Sequence, residues 1–336
     1  MTTAAPRPDA PADADIPALP DPFGAFRVAV LIPCYNEAVA IGDVVRDFRT
    51  SLPQADVYVY DNNSTDGTVE AAAEAGAVVR RETRQGKGRV VRRMFADVEA
   101  DIYLLVDGDG TYDAGAAPDL VAALIEDGLD MVSAARVARG EAAYRRGHRF
   151  GNWAFTTLVS RLFGKDFRDL LSGYRVLSRR FVKSFPAMSG GFEIETELTV
   201  HALELEAPVR EIETAYQERP AGSQSKLSTV LDGLRILRMI LDLAKQERPM
   251  LLFGAAATGC LAAALVLAAP VLAEYWRTGL VPRLPTAVLC VGLVLEASLA
   301  FAVGLVLDTV TRGRREAKRM RYLEVPGVAA SLHARA

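Results

Sequence analysis

Two apolar runs near the C-terminus constrain this chain most. Residues 250–273 include no charged side chain, and residues 286–307 include only Glu296. Each run approaches the roughly 20 residues that cross a bilayer as a helix. Of the 336 residues 50% are hydrophobic while 24% are charged, so the apolar content is concentrated rather than spread. The pattern predicts a transmembrane hairpin over 248–308, with spans at about 250–273 and 286–307; two buried core helices are the competing reading. The connection holds Tyr275, Trp276 and two prolines, which suits an interfacial turn.

Charge sets the expected orientation. Arg312, Arg314, Arg315, Lys318, Arg319 and Arg321 follow the second run, against Arg277 and Arg283 between the runs. Positive flanks stay in the cytoplasm, so the expectation is an integral protein of the cell membrane with its long N-terminal domain and both termini cytoplasmic. Residues 309–336 read as a basic cytoplasmic tail meeting anionic membrane lipids. The net charge of −3 argues against nucleic acid as a partner. Cys34, Cys260 and Cys290 have no disulfide or zinc spacing, and His148, His201 and His333 are scattered.

Residues 1–24 are rich in Ala, Pro and Asp and read as a disordered tail, without the charged start and apolar middle of a signal peptide. From Phe26 strands and helices alternate. Strands are expected at 26–32, 56–60, 78–79, 102–106 and 131–134, with helices at 37–52, 65–75, 87–98 and 118–127. That alternation implies an α/β domain, 25–226, built on a mostly parallel sheet covered on both faces. Regularity falls after Ala135: a basic loop over 136–149 leads to a helix ending at Leu162. Residues 227–247 form an amphipathic helix, its stripe running from Leu227 through Leu234 to Leu241. It either lies in the membrane interface or packs on the domain; both need the same stripe.

Chemistry gathers at strand ends. Asp107-Gly108-Asp109 closes the apolar strand at 102–106, where open α/β sheets bind ligands. Two carboxylates separated by one glycine can share a Mg2+ or Mn2+ ion that holds a diphosphate; a solvated acidic turn is the bland alternative. Pro33, Tyr35 and Glu37 end the first strand and Asp61 the second. Tyr35 offers a flat surface and Pro33 a carbonyl to a nucleobase, while Glu37 and Asp61 are acceptors for base N–H or ribose hydroxyl groups. Arg136, Arg149 and Arg175 either pair with carboxylates or contact phosphate. Asp169 reads as an arginine's partner rather than a base. Gly86-Lys87-Gly88 either cradles a phosphate or makes a turn. Glu193, Glu195 and Glu197 are expected to be exposed or arginine-paired, or, for one of them, to touch the sugar. Glu296 marks either a lipid-phosphate or ion path, or a pairing across the hairpin or between subunits of a homo-oligomer.

The ordered motifs P-x-Y-N-E, D-x-x-S-x-D-G-T and D-x-D, at 33–37, 61–68 and 107–109, resemble family 2 glycosyltransferases of the GT-A (Rossmann-like) fold. The stretches 169–175 and 219–227 and the C-terminal anchor resemble the dolichyl- and polyprenyl-phosphate sugar synthase branch. The likeness covers roughly 27–244. It implies nucleotide-binding positions at Pro33, Tyr35, Glu37 and Asp61, and a metal and diphosphate pair at Asp107 and Asp109. It also implies an arginine after the fifth strand at Arg136, an acceptor-side Arg149, and phosphate grips at Arg219, Ser225 and Lys226. The chain departs from the family pattern at three positions. Asn62 stands where a second aspartate is frequent, Thr111 where a metal-holding glutamine is frequent (Asp113 being a possible substitute ligand), and Cys34 where threonine is common.

The implied reaction moves a sugar, with inversion, from a UDP- or GDP-sugar to a polyprenyl phosphate. That acceptor, with a second pKa near 6, is already mostly dianionic at neutral pH and needs no strong base. Transfer to a lipid or protein hydroxyl would need one, and a non-catalytic membrane scaffold would need no donor site.

Overall fold

The computed structural model describes residues 24–138, 169–191, 193–217, 219, 248–328 and 330. Arg149, Ser225 and Lys226, the helix expected to end at Leu162, the amphipathic helix at 227–247 and nearly all of the N-terminal tail lie outside them. Strands β1 (Val28–Cys34), β2 (Asp56–Asp61), β3 (Val78–Arg81) and β4 (Ile102–Leu105) alternate with helices α1 (Ile41–Ser51), α2 (Thr68–Glu74) and α3 (Lys87–Asp97). Then come α4 (Ala117–Glu126), β5 (Met131–Ala138), β6 (Arg175–Ser178), α5 (Arg179–Ser184), α6 (Ile194–Glu204) and β7 (Val209–Tyr216).

The sheet order is β3-β2-β1-β4-β6-β5-β7. All neighbouring pairs are parallel except those of β6, which runs against β4 and β5. Six strands therefore end at one edge, as the alternation predicts, and β6 is the exception. Side chains of β1 alternate between faces: Val28, Val30 and Ile32 pack with Ile41, Phe48 and Leu120, while Ala29 and Leu31 pack with Met94, Phe181 and Leu198. Burying each such aliphatic side chain contributes about 1.5–3 kcal/mol, so both sheet faces must be roofed by helices.

Several expected boundaries move for local reasons. The first helix starts at Ile41 rather than 37, because the backbone N–H groups of Glu37 and Ala38 donate to Thr68 Oγ1 and Asp66 Oδ2. The second starts at Thr68 rather than 65, since Asp66 accepts from the Thr68 N–H. β5 runs on to Ala138 because β7 lies parallel along its whole length.

Two long helices follow, α7 (Pro249–Thr278) and α8 (Leu284–Leu323), both apolar and long enough to cross a membrane. Leu265 and Val266 on α7 and Leu295 and Leu299 on α8 are exposed, which excludes the buried core-helix reading and suggests a membrane anchor. The helices meet along small residues seven apart, Ala257, Ala264 and Val271 on one and Ala297, Gly304 and Thr311 on the other. Close backbone approach of this kind is how helices associate in lipid. The second helix does not end with its apolar run. It continues through Arg312–Arg321, the stretch that the sequence reads as a tail.

Candidate active site at the carboxyl edge of the sheet

The ends of β1, β2, β4, β5 and β7 bring Pro33, Tyr35, Glu37, Asp61, Asp107, Asp109, Arg136 and Arg219 to one edge. The β1 and β2 loops are knitted together there. Asn36, at φ 51°, accepts the Thr65 N–H at 2.8 Å, and its own N–H donates to Ser64 Oγ at 2.8 Å. Asparagine tolerates this left-handed conformation better than most residues. The knot leaves Tyr35 exposed beside buried Asp61, whose carboxylate accepts from the Ser64 N–H at 3.1 Å and lies 3.7 Å from Arg81.

The acidic pair is seated tightly. A Cβ on Gly108 would lie 2.6 Å from Cys34 Sγ, so only glycine fits between the two aspartates, and Cys34 acquires a packing role that the sequence does not reveal. A Cβ on Gly173 would lie 2.5 Å from Asp107 Oδ2. The Thr111 hydroxyl donates to Asp109 Oδ1 at 2.6 Å and so orients that carboxylate. Asp113 is taken up as the cap of the turn at Ala114–Ala116, accepting the Gly115 N–H at 2.8 Å.

Each aspartate faces a cation. Arg219 Nη2 lies 2.7 Å from Asp109 Oδ2. Lys87 Nζ, nearly buried, donates to both Asp107 Oδ1 and Glu195 Oε1. Burial alone would lower the Lys87 ammonium, but Asp107 and Glu195 outweigh it and hold it above the ordinary lysine range. Glu195 is therefore neither exposed nor arginine-paired, the two main readings of its sequence context. Its alternate spacing resembles a surface pattern, yet α6 turns it inward. The glycines around Lys87 serve close packing: a Cβ on Gly86 would lie 2.1 Å from Gly190 O, and on Gly88 2.3 Å from Ser189 O. Asn62 pins this turn. Its amide donates to Glu82 O at 2.8 Å and Arg84 O at 2.9 Å, and its Oδ1 accepts the Gly86 N–H at 2.7 Å. An aspartate at this position would set an anion against two carbonyls. The sequence offers Lys87 only as part of a phosphate cradle or a turn, and sets neither Asn62 nor Glu195 beside the acidic pair.

The arginines separate into different jobs. Arg136 grips Asp169 through Nε at 2.6 Å and Nη2 at 2.8 Å and lies over the Tyr216 ring at 5.5 Å. Burial alone would raise Asp169, but hydrogen bonds and charge from Arg136 hold it below the usual carboxylate range. It is Arg136's partner, as its sequence context implies, and a poor base. Arg175 is corrected outright as a phosphate contact. It is fully buried in β6, donating to Ser172 O, Leu170 O and Thr199 Oγ1 at 2.8–3.0 Å.

An open, mostly parallel sheet thus carries an acidic pair and facing cations at its carboxyl edge, where such sheets bind ligands. Residues 29–185 match the model of Glycosyl transferase family 2. Glycosyltransferase AglJ of Haloferax volcanii is 36% identical over 300 residues, 88% of this chain and 98% of that protein. The Dolichyl-phosphate hexose transferase of the same organism is 30% identical over 222 residues, 66% of this chain and 95% of that protein. The crystal structure of Mycobacterium tuberculosis glucosyl-3-phosphoglycerate synthase with Mn2+, UDP and phosphoglyceric acid superposes with a TM-score of 0.53 at 22% identity, covering 67% of this chain and 79% of that one. The chain belongs to glycosyltransferase family 2 and is a glycosyltransferase.

Proposed function

We propose that this enzyme moves one sugar, with inversion, from a nucleotide diphosphate donor to a polyprenyl phosphate, giving a lipid-phosphate-linked sugar for glycan assembly. The observation that carries the reading is the Asp109–Arg219 ion pair at 2.7 Å, one half suited to a divalent cation and the other to a phosphate. Donor binding replaces that pair with two separate contacts. The names of the relatives support the acceptor class, since one is a dolichyl-phosphate hexose transferase and another an undecaprenyl-phosphate mannosyltransferase.

Asp107 and Asp109 suit Mg2+ or Mn2+, which need only one or two carboxylates and fill their shell with water and phosphate oxygens. Among the described residues no third His, Cys, Asp or Glu converges on them. A bound ion would offset the charge that develops on the leaving diphosphate. The chain supplies the rest. Tyr35, Glu37 and Asp61 hold the nucleoside, while Lys87 fixes Asp107 and Arg219 grips phosphate. Arg136, with Arg149, Ser225 and Lys226, draws the acceptor anion in. Positioning and electrostatics then carry the rate. Asp169, its oxygens occupied by Arg136 and its carboxyl held below the usual range, is a weak base, which favours a phosphate acceptor over a hydroxyl.

The test uses full-length protein in vesicles with Mn2+ and radiolabelled UDP- and GDP-sugars. It compares polyprenyl phosphate, diacylglycerol and a peptide as acceptors; the uridine donor comes first, because glucosyl-3-phosphoglycerate synthase was crystallised with UDP. Label should enter the polyprenyl phosphate alone and stop with EDTA. Label on a hydroxyl acceptor instead, or undiminished transfer in EDTA, overturns the assignment.

A further inference from the structure

The C-terminal end of α8 is locked onto the catalytic domain at the edge of the sheet away from the site. Asp130, directly before β5, is fully buried and collects donors from three elements. The Tyr322 hydroxyl reaches its Oδ2 at 2.5 Å, Arg180 binds it through Nε at 2.5 Å and Nη2 at 2.7 Å, and the Ser178 hydroxyl reaches Oδ1 at 2.6 Å. The Arg180 guanidinium also stacks over the Tyr322 ring at 4.7 Å. One turn earlier on the helix, Lys318 Nζ donates to Glu204 Oε2 at 2.5 Å. Beyond it, Gly327 abuts Arg180, and Val328 is buried in the core cluster that covers one face of the sheet.

A basic helix end meeting only solvent or lipid headgroups would need none of this. A buried carboxylate demands paired, hydrogen-bonded partners, and here one comes from the end of β6, one from α5 and one from the membrane anchor. The helix is continuous from the span to this junction. At about 1.5 Å rise per residue, Tyr322 stands about 22 Å beyond Leu307. A helix of that length is a stiff spacer, unlike a flexible tether that samples many heights and tilts.

We propose that Tyr322, Asp130 and Arg180, with the Lys318–Glu204 pair, form a positioning latch that fixes the height and tilt of the catalytic domain over the bilayer, so that the carboxyl edge meets a phosphate borne by a membrane lipid. This rests on the acceptor assigned above. None of the latch residues touches the reacting groups. Their effect is on how often the site and a lipid headgroup coincide, which is an effective-concentration effect.

The experiment uses full-length protein in vesicles and two acceptors, a long polyprenyl phosphate in the bilayer and a short, water-soluble isoprenyl phosphate. Tyr322→Phe removes one hydroxyl, and Lys318→Glu reverses one charge. For each, the KM for the bilayer acceptor should rise about tenfold, the scale of one charge-assisted hydrogen bond, while kcat and KM with the soluble acceptor stay unchanged. Lys318→Glu combined with Glu204→Lys should restore the bilayer KM. Equal losses on both acceptors, or no change on either, overturn the latch. Should the unaltered protein use neither acceptor, the acceptor assignment fails, and the latch is judged by hydrogen exchange over 318–328. Faster exchange in Tyr322→Phe supports it, and unchanged exchange refutes it.

Discussion

The two edges of the sheet use the same chemistry to opposite ends. At the carboxyl edge, Asp109 is buried but held, among the described residues, by only Thr111 and one partly exposed arginine 2.7 Å away, and it stands beside a partly exposed Asp107. At the other edge, Asp130 is fully enclosed by Arg180, Ser178 and Tyr322. The first arrangement is open to exchange, since an incoming anion and cation can each take over one partner. The second is closed, and every lone pair it spends holds parts of the chain together. A carboxylate's role follows from how completely its surroundings commit it, more than from its residue type.

Swapping the two phenotypes would break that comparison. Asp130→Ala leaves Arg180 partly buried without its counter-charge and should cost about 3–5 kcal/mol, read as a large drop in the denaturation midpoint in detergent. Asp109→Ala takes the carboxylate away from an Arg219 that water can reach and from the Thr111 hydroxyl; it should lower that midpoint less than Asp130→Ala does, while lowering sugar transfer about a hundredfold or more, the scale of removing one electrostatic contact to the reacting groups. Lys87 tests whether the carboxyl edge also contains a holding element. Lys87→Met leaves Asp107 and buried Glu195 facing each other and should cost about 3 kcal/mol; adding Glu195→Gln should recover much of it.

Much of this contrast was legible in the chain, but unevenly. Parallel strands ending at Asp61 and Asp107 followed from alternation and from short apolar runs, because those signals are local. Glu195 is illegible locally because the helix turns that one position inward, toward a partner 108 residues away. Arg175 escapes both of its readings for a related reason: nothing local shows that the carbonyls at 170 and 172 will receive it. The latch was hidden by composition. Six basic residues after a span read as a lipid-facing tail, and only the fold reveals Asp130 and Glu204 waiting beneath two positions of that stretch.

Acid sharpens the comparison at the far edge. His201 is buried between the Phe181 and Phe185 rings, and burial, aided by the charge of Lys318, pushes it down to about 3. It is neutral in the folded protein, whereas the unfolded chain takes up a proton below about 6.5. Stability is therefore full above pH 6.5 and falls as the pH drops toward 3, by about 2 kcal/mol at pH 5. His201→Phe should flatten that slope in a pH series of denaturation midpoints, and an unchanged slope would assign the acid sensitivity elsewhere. The smallest effect belongs to Glu206, which follows α6 at φ 53°. Glu206→Gly removes the left-handed penalty and should stabilise by about 1 kcal/mol, with transfer unaffected.

Cys34 has a practical consequence. Its sulfur lies beneath Gly108, where even a methyl group would not fit, while Cys260 and Cys290 sit on the anchor helices. A small alkylating reagent reaches Cys34 only when the aspartate turn lifts off the first strand. The rate of that labelling, and its slowing by a donor nucleotide, would gauge breathing of the pocket without any engineered probe.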